Sequence, residues 1–257
     1  MLVTILGSGT AVPVPDRFPA GYLVQARGQH VLVDCGPGSL RRLAQAGVDL
    51  ADLDAVLLTH YHTDHCADLG PLLFALRNPR YAGRKPLRVL AAPGLERFVR
   101  TLTEVWPWLS PRDYELRLHE IGPGRHHLGD LAITALPIRH TAQSLGYRVD
   151  DGIGTAAFSG DADACDELVE LARGADLFVC DAAFPDDQRV DGHLTPGSAG
   201  KHAERAGAST LVMTHFYPEC EGTDVVAQAG RRFGGRIVAA HDLLRLPVPG
   251  LPGLPGR

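Results

Sequence analysis

Cysteine is scarce in these 257 residues, and what there is does not pair. Cys35, Cys66, Cys165, Cys180 and Cys220 are odd in number and form no Cys-x-x-Cys motif, which excludes a disulfide framework and a thiolate zinc knot as organising features. No apolar run approaches the length that spans a bilayer, so no membrane partner is expected. A secretion signal is also missing ahead of the first strand-like run, Leu2-Val3-Thr4, and the expected compartment is cytoplasmic. Positive charge is not in excess: the formal net charge is −5, which supplies no general attraction for a polyanion. The one basic stretch runs from Arg77 to Arg112, with Arg77, Arg80, Arg84, Lys85, Arg88, Arg97, Arg100 and Arg112 against Glu96 and Glu104. It reads either as a phosphate-steering surface or as a solvated helix and loop face.

What is present in abundance is metal chemistry. Leu57-Leu58-Thr59-His60-Tyr61-His62-Thr63-Asp64-His65 puts three histidines and an aspartate into six positions after an apolar, strand-like run. An extended segment turns alternate side chains to one face, so His60, His62 and Asp64 converge while His65 begins the next helix. Imidazole with carboxylate, and no thiolate pair nearby, suits zinc, manganese or iron. Further ligand types follow other apolar runs: His140 after Ile133 to Ile138, Asp161 after Thr155 to Ser159, and His215 after Thr210 to Thr214. A sheet-edge metal site needs this pattern, several strands each delivering a side chain to one rim.

The apolar fraction of 45% over 257 residues allows one large core. Strands are expected near 2–6, 21–26, 30–34, 54–58, 87–91, 115–120, 131–136, 143–149, 154–159, 176–180, 209–214 and 236–239. Helices are expected near 38–46, 66–77, 93–105, 164–173, 196–206 and 223–232. This α/β order fits two face-to-face sheets with helices outside. The expected domain is 1–246, with 247–257 a mobile Pro/Gly-rich tail.

From Thr4-Ile5-Leu6-Gly7-Ser8-Gly9-Thr10 through Leu32-Val33-Asp34-Cys35-Gly36-Pro37-Gly38 to His241-Asp242, the chain resembles the metallo-β-lactamase-fold superfamily, whose His-x-His-x-Asp-His signature appears as His60, His62, Asp64 and His65. The resemblance implies a four-layer αββα sandwich of the metallo-β-lactamase fold holding two divalent ions, zinc first and manganese or iron as alternatives. One ion would be held by His60, His62 and His140, the second by Asp64, His65 and His215, and Asp161 would bridge them. The Ser-Gly-Asp element that supplies Asp161 argues against antibiotic hydrolysis, and the short end after Asp242 against a glyoxalase-type helical domain. The last third is most similar to ribonuclease Z and its short phosphodiesterase relatives. Gly192-His193-Leu194-Thr195-Pro196-Gly197-Ser198-Ala199 matches a segment whose histidine is catalytic there, and Asp181 occupies the place of its supporting acid, commonly a glutamate.

Long ribonucleases Z insert a transfer-RNA-gripping arm between the third histidine and the bridging aspartate. Here twenty residues separate His140 from Asp161, and they read as two strands around Asp150-Asp151-Gly152. The expected activity is therefore hydrolysis of a small or cyclic phosphodiester by a hydroxide bridging the metals, with Asp64, His193 and Asp181 as catalytic residues. The expected partner is a small molecule, with no stable nucleic-acid complex and a homodimer left open. The alternatives are a ribonuclease Z-type transfer-RNA 3′-processing endonuclease or an ester, lactone or thioester hydrolase.

Other features carry weaker expectations. Asp34 is placed either to accept a hydrogen bond from a ligand histidine or to cap a turn. Trp106-Pro107-Trp108 reads as core or as an apolar lid. The loop Pro13-Val14-Pro15-Asp16-Arg17-Phe18, expected on the rim side, reads as a stiff surface connection with substrate contact as its alternative.

Overall fold

The computed structural model describes residues 1–249. Its first half builds β1 (Leu2–Gly7), β2 (Gly21–Ala26), β3 (Gln29–Val33), β4 (Leu53–Leu57), β5 (Leu87–Ala91) and β6 (Leu116–Glu120), with α1 (Ser39–Gln45), α2 (Thr63–Cys66), α3 (Leu69–Ala75) and α4 (Leu95–Val105) between them. Its second half builds β7 (Gly124–Leu128), β8 (Leu131–Pro137), β9 (Leu145–Asp150), β10 (Thr155–Phe158), α5 (Asp166–Leu171), β11 (Leu177–Asp181), α6 (Pro196–Ala206), β12 (Thr210–Thr214), α7 (Val225–Gly230), β13 (Arg236–Ala239) and β14 (Arg245–Pro247). Two seven-stranded sheets result, ordered β14-β1-β2-β3-β4-β5-β6 and β13-β12-β11-β10-β9-β8-β7.

Strand alternation explains the layering. Along β4 and just past it, Ala55 and Leu57 point between the sheets, where they meet Val31, Val33, Tyr147 and Phe158. Leu53, Val56 and Leu58 point outward and pack with Leu43, Leu69, Leu72 and Leu95 from the covering helices. The second sheet repeats this: Val179 and Val212 face inward, while Phe178, Leu211 and Met213 face Leu168, Ala199 and Ala203 of α5 and α6. Strands covered on both faces read as continuous apolar runs. Three apolar layers separate four layers of structure, giving the αββα sandwich. Each fully buried Leu or Phe contributes about 1.5–3 kcal/mol, so the packing dominates over local propensity.

Turn and cap chemistry sets the boundaries. α6 begins on a Thr195–Ser198 capping box with Pro196 in its first turn, and it ends on Gly207 in the left-handed region. The β9–β10 hairpin closes where Gly152 N–H donates to Asp150 Oδ1 (2.7 Å) and Ile153 and Gly154 N–H donate to Asp151 Oδ1 (2.9 and 2.8 Å). Nothing but this hairpin and its flanking turns lies between His140 and Asp161.

Three details differ from expectation. β7 was not anticipated, because Gly124-Arg-His-His-Leu has no apolar alternation; it forms the edge of its sheet by pairing with β8. The helix expected over 66–77 starts earlier and is broken between α2 and α3, where Asp68 N–H donates to Cys35 O (2.9 Å). The end of the domain lies beyond 246: β14 pairs with β1, and Val248 is buried in the inter-sheet core. Most of the tail expectation, residues 250–257, lies outside the described residues.

Candidate metal centre

Apolar strands end where their side chains reach the sheet rim, and the ligand-type residues sit one to eight positions beyond. Thr59 and His60 follow β4, His62 precedes the first turn of α2, and Asp64 and His65 lie within it. His140 follows β8, Asp161 follows β10 and His215 follows β12. Two tight turns aim them. Gly160 has φ +60°, and a β-carbon there would lie 2.8 Å from Thr59 Cβ; His215 itself has φ +62°. A non-glycine residue in the left-handed region stores strain, which the surrounding packing sustains.

The structure brings all seven sequence-named ligand candidates into two adjoining groups. His60, His62, His140 and Asp161 place ligand atoms within 4.8 Å of one another, as do Asp64, His65 and His215. Asp161 faces both groups. Its Oδ2 lies 3.7 Å from His60 Nε2 and 3.6 Å from His140 Nε2, and its Oδ1 lies 3.0 Å from His65 Nε2 and 3.2 Å from His215 Nε2. Across the groups' own gaps, His62 Nδ1 and His140 Nε2 approach to 3.2 Å, His65 Nε2 and His215 Nε2 to 3.3 Å.

The donor set fits divalent cations. His65 Nδ1–H donates to Asp34 Oδ2 (2.8 Å), and His140 Nδ1–H donates to Gly192 O (2.9 Å). His60 Nδ1 lies 3.0 Å from Thr59 Oγ1, whose hydroxyl donates to Asp34. In each ring the outer nitrogen is engaged, so Nε2 presents its lone pair inward, the usual orientation of a metal-bound histidine. His60 Nε2 is buried without a hydrogen-bond partner, which is costly unless a cation satisfies it. The crowding of these groups shifts their protonation: against the opposing effect of burial, Asp161 and then Asp34 raise the His65 imidazole well above its ordinary value. Burial and then the neighbouring His65 push the His60 imidazole down to about 2. Against the opposing effect of burial, the hydrogen bond from His215 and the charge of His65 bring the Asp64 carboxyl down to about 2. Burial also opposes ionisation of Asp161, but His215 and His65 hold it well below the usual carboxylate range.

His193 stands at the mouth. Its ring stacks on His215 at a centroid distance of 5.5 Å and lies 5.1 Å from His140. Its Nδ1–H donates to Asp181 Oδ2 at 3.0 Å. Burial lowers its pKa, but the Asp181 hydrogen bond and charge outweigh that and the net shift is upward. The same Asp181 Oδ2 accepts from Ala162 N–H (3.1 Å) and Leu194 N–H (3.3 Å), locking it between the ligand-bearing turns.

The weaker sequence readings resolve unevenly. Asp34, at φ +57°, takes the ligand-orienting role, accepting from Thr59 N–H as well (2.8 Å). Trp106 and Trp108 are not core: they are 55% and 67% exposed, beside an apolar groove that Phe74 and Leu102 also line. The 13–18 loop does reach the rim, since with Thr63 and Asp64 it lines a cavity of about 500 Å³. Much of the basic stretch is tied down locally. Arg80 pairs with Asp49 at 2.6 Å, Lys85 with Asp54 at 2.7 Å, and Arg84 donates to the Leu53 carbonyl. Four contributors carried no reading in the sequence. Ala11 N–H donates to Asp64 Oδ2 (3.1 Å); Phe184 and Tyr217 stack at 4.5 Å beside His193; and Asp163 ties two rim loops together. A backbone donor leaves no sequence signal, but the aromatics and Asp163 lie within three residues of named site residues, where a signal was available.

The comparisons agree with this geometry. A family model described as Beta-lactamase superfamily domain matches residues 29–216. A protein named Ribonuclease Z from Mycobacterium marinum is 36% identical over 277 aligned residues, covering 96% of this chain and 98% of the relative. One from Mycobacterium bovis is 34% identical with the same coverage. Among solved structures, the metallo-beta-lactamase fold protein YhfI from Bacillus subtilis superimposes with TM-score 0.84 at 28% identity, over 95% of this chain and 97% of its own. The short form of human tRNase Z gives TM-score 0.81 at 23% identity, over 97% and 100%, a likeness of fold.

These relatives overturn the expected partners. A small-molecule substrate without nucleic-acid engagement was inferred from a missing arm and a net charge of −5, yet proteins named for ribonuclease activity match this chain from end to end. The physical error lay in both premises. An absent insertion removes one gripping element and not the catalytic groove, and a whole-chain charge sum says little about the field over one rim. The chain is a metal-dependent phosphoric diester hydrolase. It belongs to the metallo-β-lactamase-fold superfamily, in its short, ribonuclease Z-like branch.

Proposed function

We propose that this protein is an endoribonuclease of the ribonuclease Z type that cleaves precursor transfer RNA on its 3′ side. The observation that carries the reading is the near-complete match, at 36% identity, to a relative of that name. The site geometry supports it: a histidine already paired with a carboxylate stands beside a cluster suited to two cations. Five unpaired cysteines fit a reducing, cytoplasmic setting.

His60, His62 and His140 would hold one cation and Asp64, His65 and His215 the other, with Asp161 shared and zinc the favoured metal for this donor set. When bound, such a pair supplies an acidified water and neutralises charge on the phosphoryl oxygens. The residues do the rest. Ionised Asp64, oriented by Ala11 N–H, accepts the proton of the attacking water. His193 donates a proton from Nε2 to the departing ribose oxygen, because its Nδ1–H is already committed to Asp181. Asp181 favours the charged imidazolium and fixes its tautomer. Stacking on His215 holds the ring at the mouth, where a leaving group can reach it.

The test is cleavage of a precursor transfer RNA bearing a 3′ trailer, with product ends mapped. A single cut that releases the trailer, lost on chelation and restored by zinc, is the expected result. An intact precursor under conditions where a p-nitrophenyl phosphodiester is hydrolysed would sink the reading.

A further inference from the structure

One carboxylate outside the cluster ties together three of its segments. Asp163, two residues past Asp161, is buried with its side chain 4% exposed. It accepts from Ala164 N–H (2.7 Å), Arg189 Nη2 (3.2 Å) and Gly192 N–H (3.4 Å), and its own N–H donates to Arg139 O (2.7 Å). The Arg139 guanidinium lies 3.9 Å from its second oxygen. Arg139 directly precedes His140. Arg189 lies in the loop that ends in Gly192, whose carbonyl accepts from His140, and in His193. Both guanidiniums therefore lie near Asp163, on the segments that carry His140 and His193.

Their donors are mostly unspent. An arginine carries five N–H donors, and here one hydrogen bond from Arg189 and a long ion pair from Arg139 are all that Asp163 takes. The two side chains are 59% and 71% exposed. The other acid in reach is Asp191, fully exposed and 3.9 Å from Arg189, where solvent screens it. The basic stretch differs, because Arg80 and Lys85 there are already paired at 2.6 and 2.7 Å.

We propose that Arg139 and Arg189 form a subsite for a backbone phosphate of RNA next to the scissile one, with Asp163 setting their spacing and Asp191 competing for Arg189. This rests on the ribonuclease reading. Guanidinium suits the role because its planar fork matches phosphate oxygens, and a partly solvated carboxylate gives way to a phosphate at little cost.

The experiment compares precursor transfer RNA with bis(p-nitrophenyl) phosphate, which has no neighbouring phosphate. In Arg139→Ala/Arg189→Ala, KM for RNA should rise about tenfold, and the dependence of log KM on log salt should become shallower by about 1–2. Its kcat on RNA and its rate on the small diester should stay unchanged. Asp191→Asn should act oppositely, lowering KM for RNA about twofold to threefold. Equal losses on both substrates would assign the pair to holding the His140 turn and overturn the subsite. RNA cleavage with unaltered KM and salt dependence in the double variant would overturn the subsite alone. A wild-type enzyme that hydrolyses the diester and leaves RNA intact would overturn the ribonuclease reading as well.

Discussion

The N-terminal sheet supplies its four candidate ligands, His60, His62, Asp64 and His65, from one six-residue run, whereas the C-terminal sheet supplies His140, Asp161 and His215 from three separate strand ends. In the first case the geometry is local. A strand end, one extended residue before α2 and a single helical turn place the side chains, and buried Asp34 fixes Thr59 and His65 together. In the second case it depends on register. β10, β11 and β12 are parallel, with Phe158 opposite Val179 and Asp181 opposite Thr214, and a slip of one residue would turn every ligand to the other face. A contiguous motif is thus held by a few dihedrals, and a dispersed one by the packing of a whole sheet.

The largest effect should come from the dispersed side. Asp161→Ala removes the one carboxylate that faces both groups, so bound metal should fall from about two equivalents toward none and activity by more than about 10⁴-fold. Elemental analysis and rates on a p-nitrophenyl phosphodiester measure this; two retained equivalents would show that Asp161 is not shared.

Next comes His193→Ala, which touches chemistry without touching the ligand set. It should keep its metal while losing about 10²–10⁴-fold on RNA and on alkyl esters, and far less on a p-nitrophenyl ester whose leaving group barely needs a proton. Equal slowing of both ester types would indicate positioning instead of proton donation.

The contiguous side should give less when its support is removed. Asp34→Ala leaves all ligands in place but frees His65 and Thr59, and should weaken metal binding about 10–100-fold. A loss equal to that of Asp161→Ala, read by metal titration, would break the contrast between local and dispersed delivery.

The smallest effect tests packing away from the centre. Thr195→Ala removes the capping box of α6 and should destabilise the fold by about 1 kcal/mol, measured by denaturant unfolding. Its metal content should be unchanged, and a loss of metal would mean that α6 sets the position of His193 and its neighbours more tightly than the capping bonds imply.

Legibility followed the same division. The His60 to His65 run could be read as chemistry from spacing alone, and most strands were visible because buried β-sheet imposes apolar runs. β7 was missed because an edge strand can be polar, and β14 because three residues containing Pro247 carry no pattern. Trp106 and Trp108 were misjudged as core candidates since exposure depends on what covers a segment and not on its composition. The partner was misjudged for a related reason: net charge is additive along the chain, but the field at a rim depends on which charges are paired. Arg80 and Lys85 are paired with Asp49 and Asp54, residues some thirty positions away, whereas Arg139 and Arg189 near the metal centre keep most of their donors free.

The sequence by itself determined the donor chemistry, the α/β alternation and the metal-binding run, because residue type and short spacing are enough to specify them. Only the tertiary structure decided that Asp161 faces both ligand groups, that Asp181 meets His193 at 3.0 Å, and that Arg139 and Arg189 share Asp163. Those relations join residues from strands and loops far apart in the chain, and their distances are set by sheet register and by packing between layers, which no local pattern encodes.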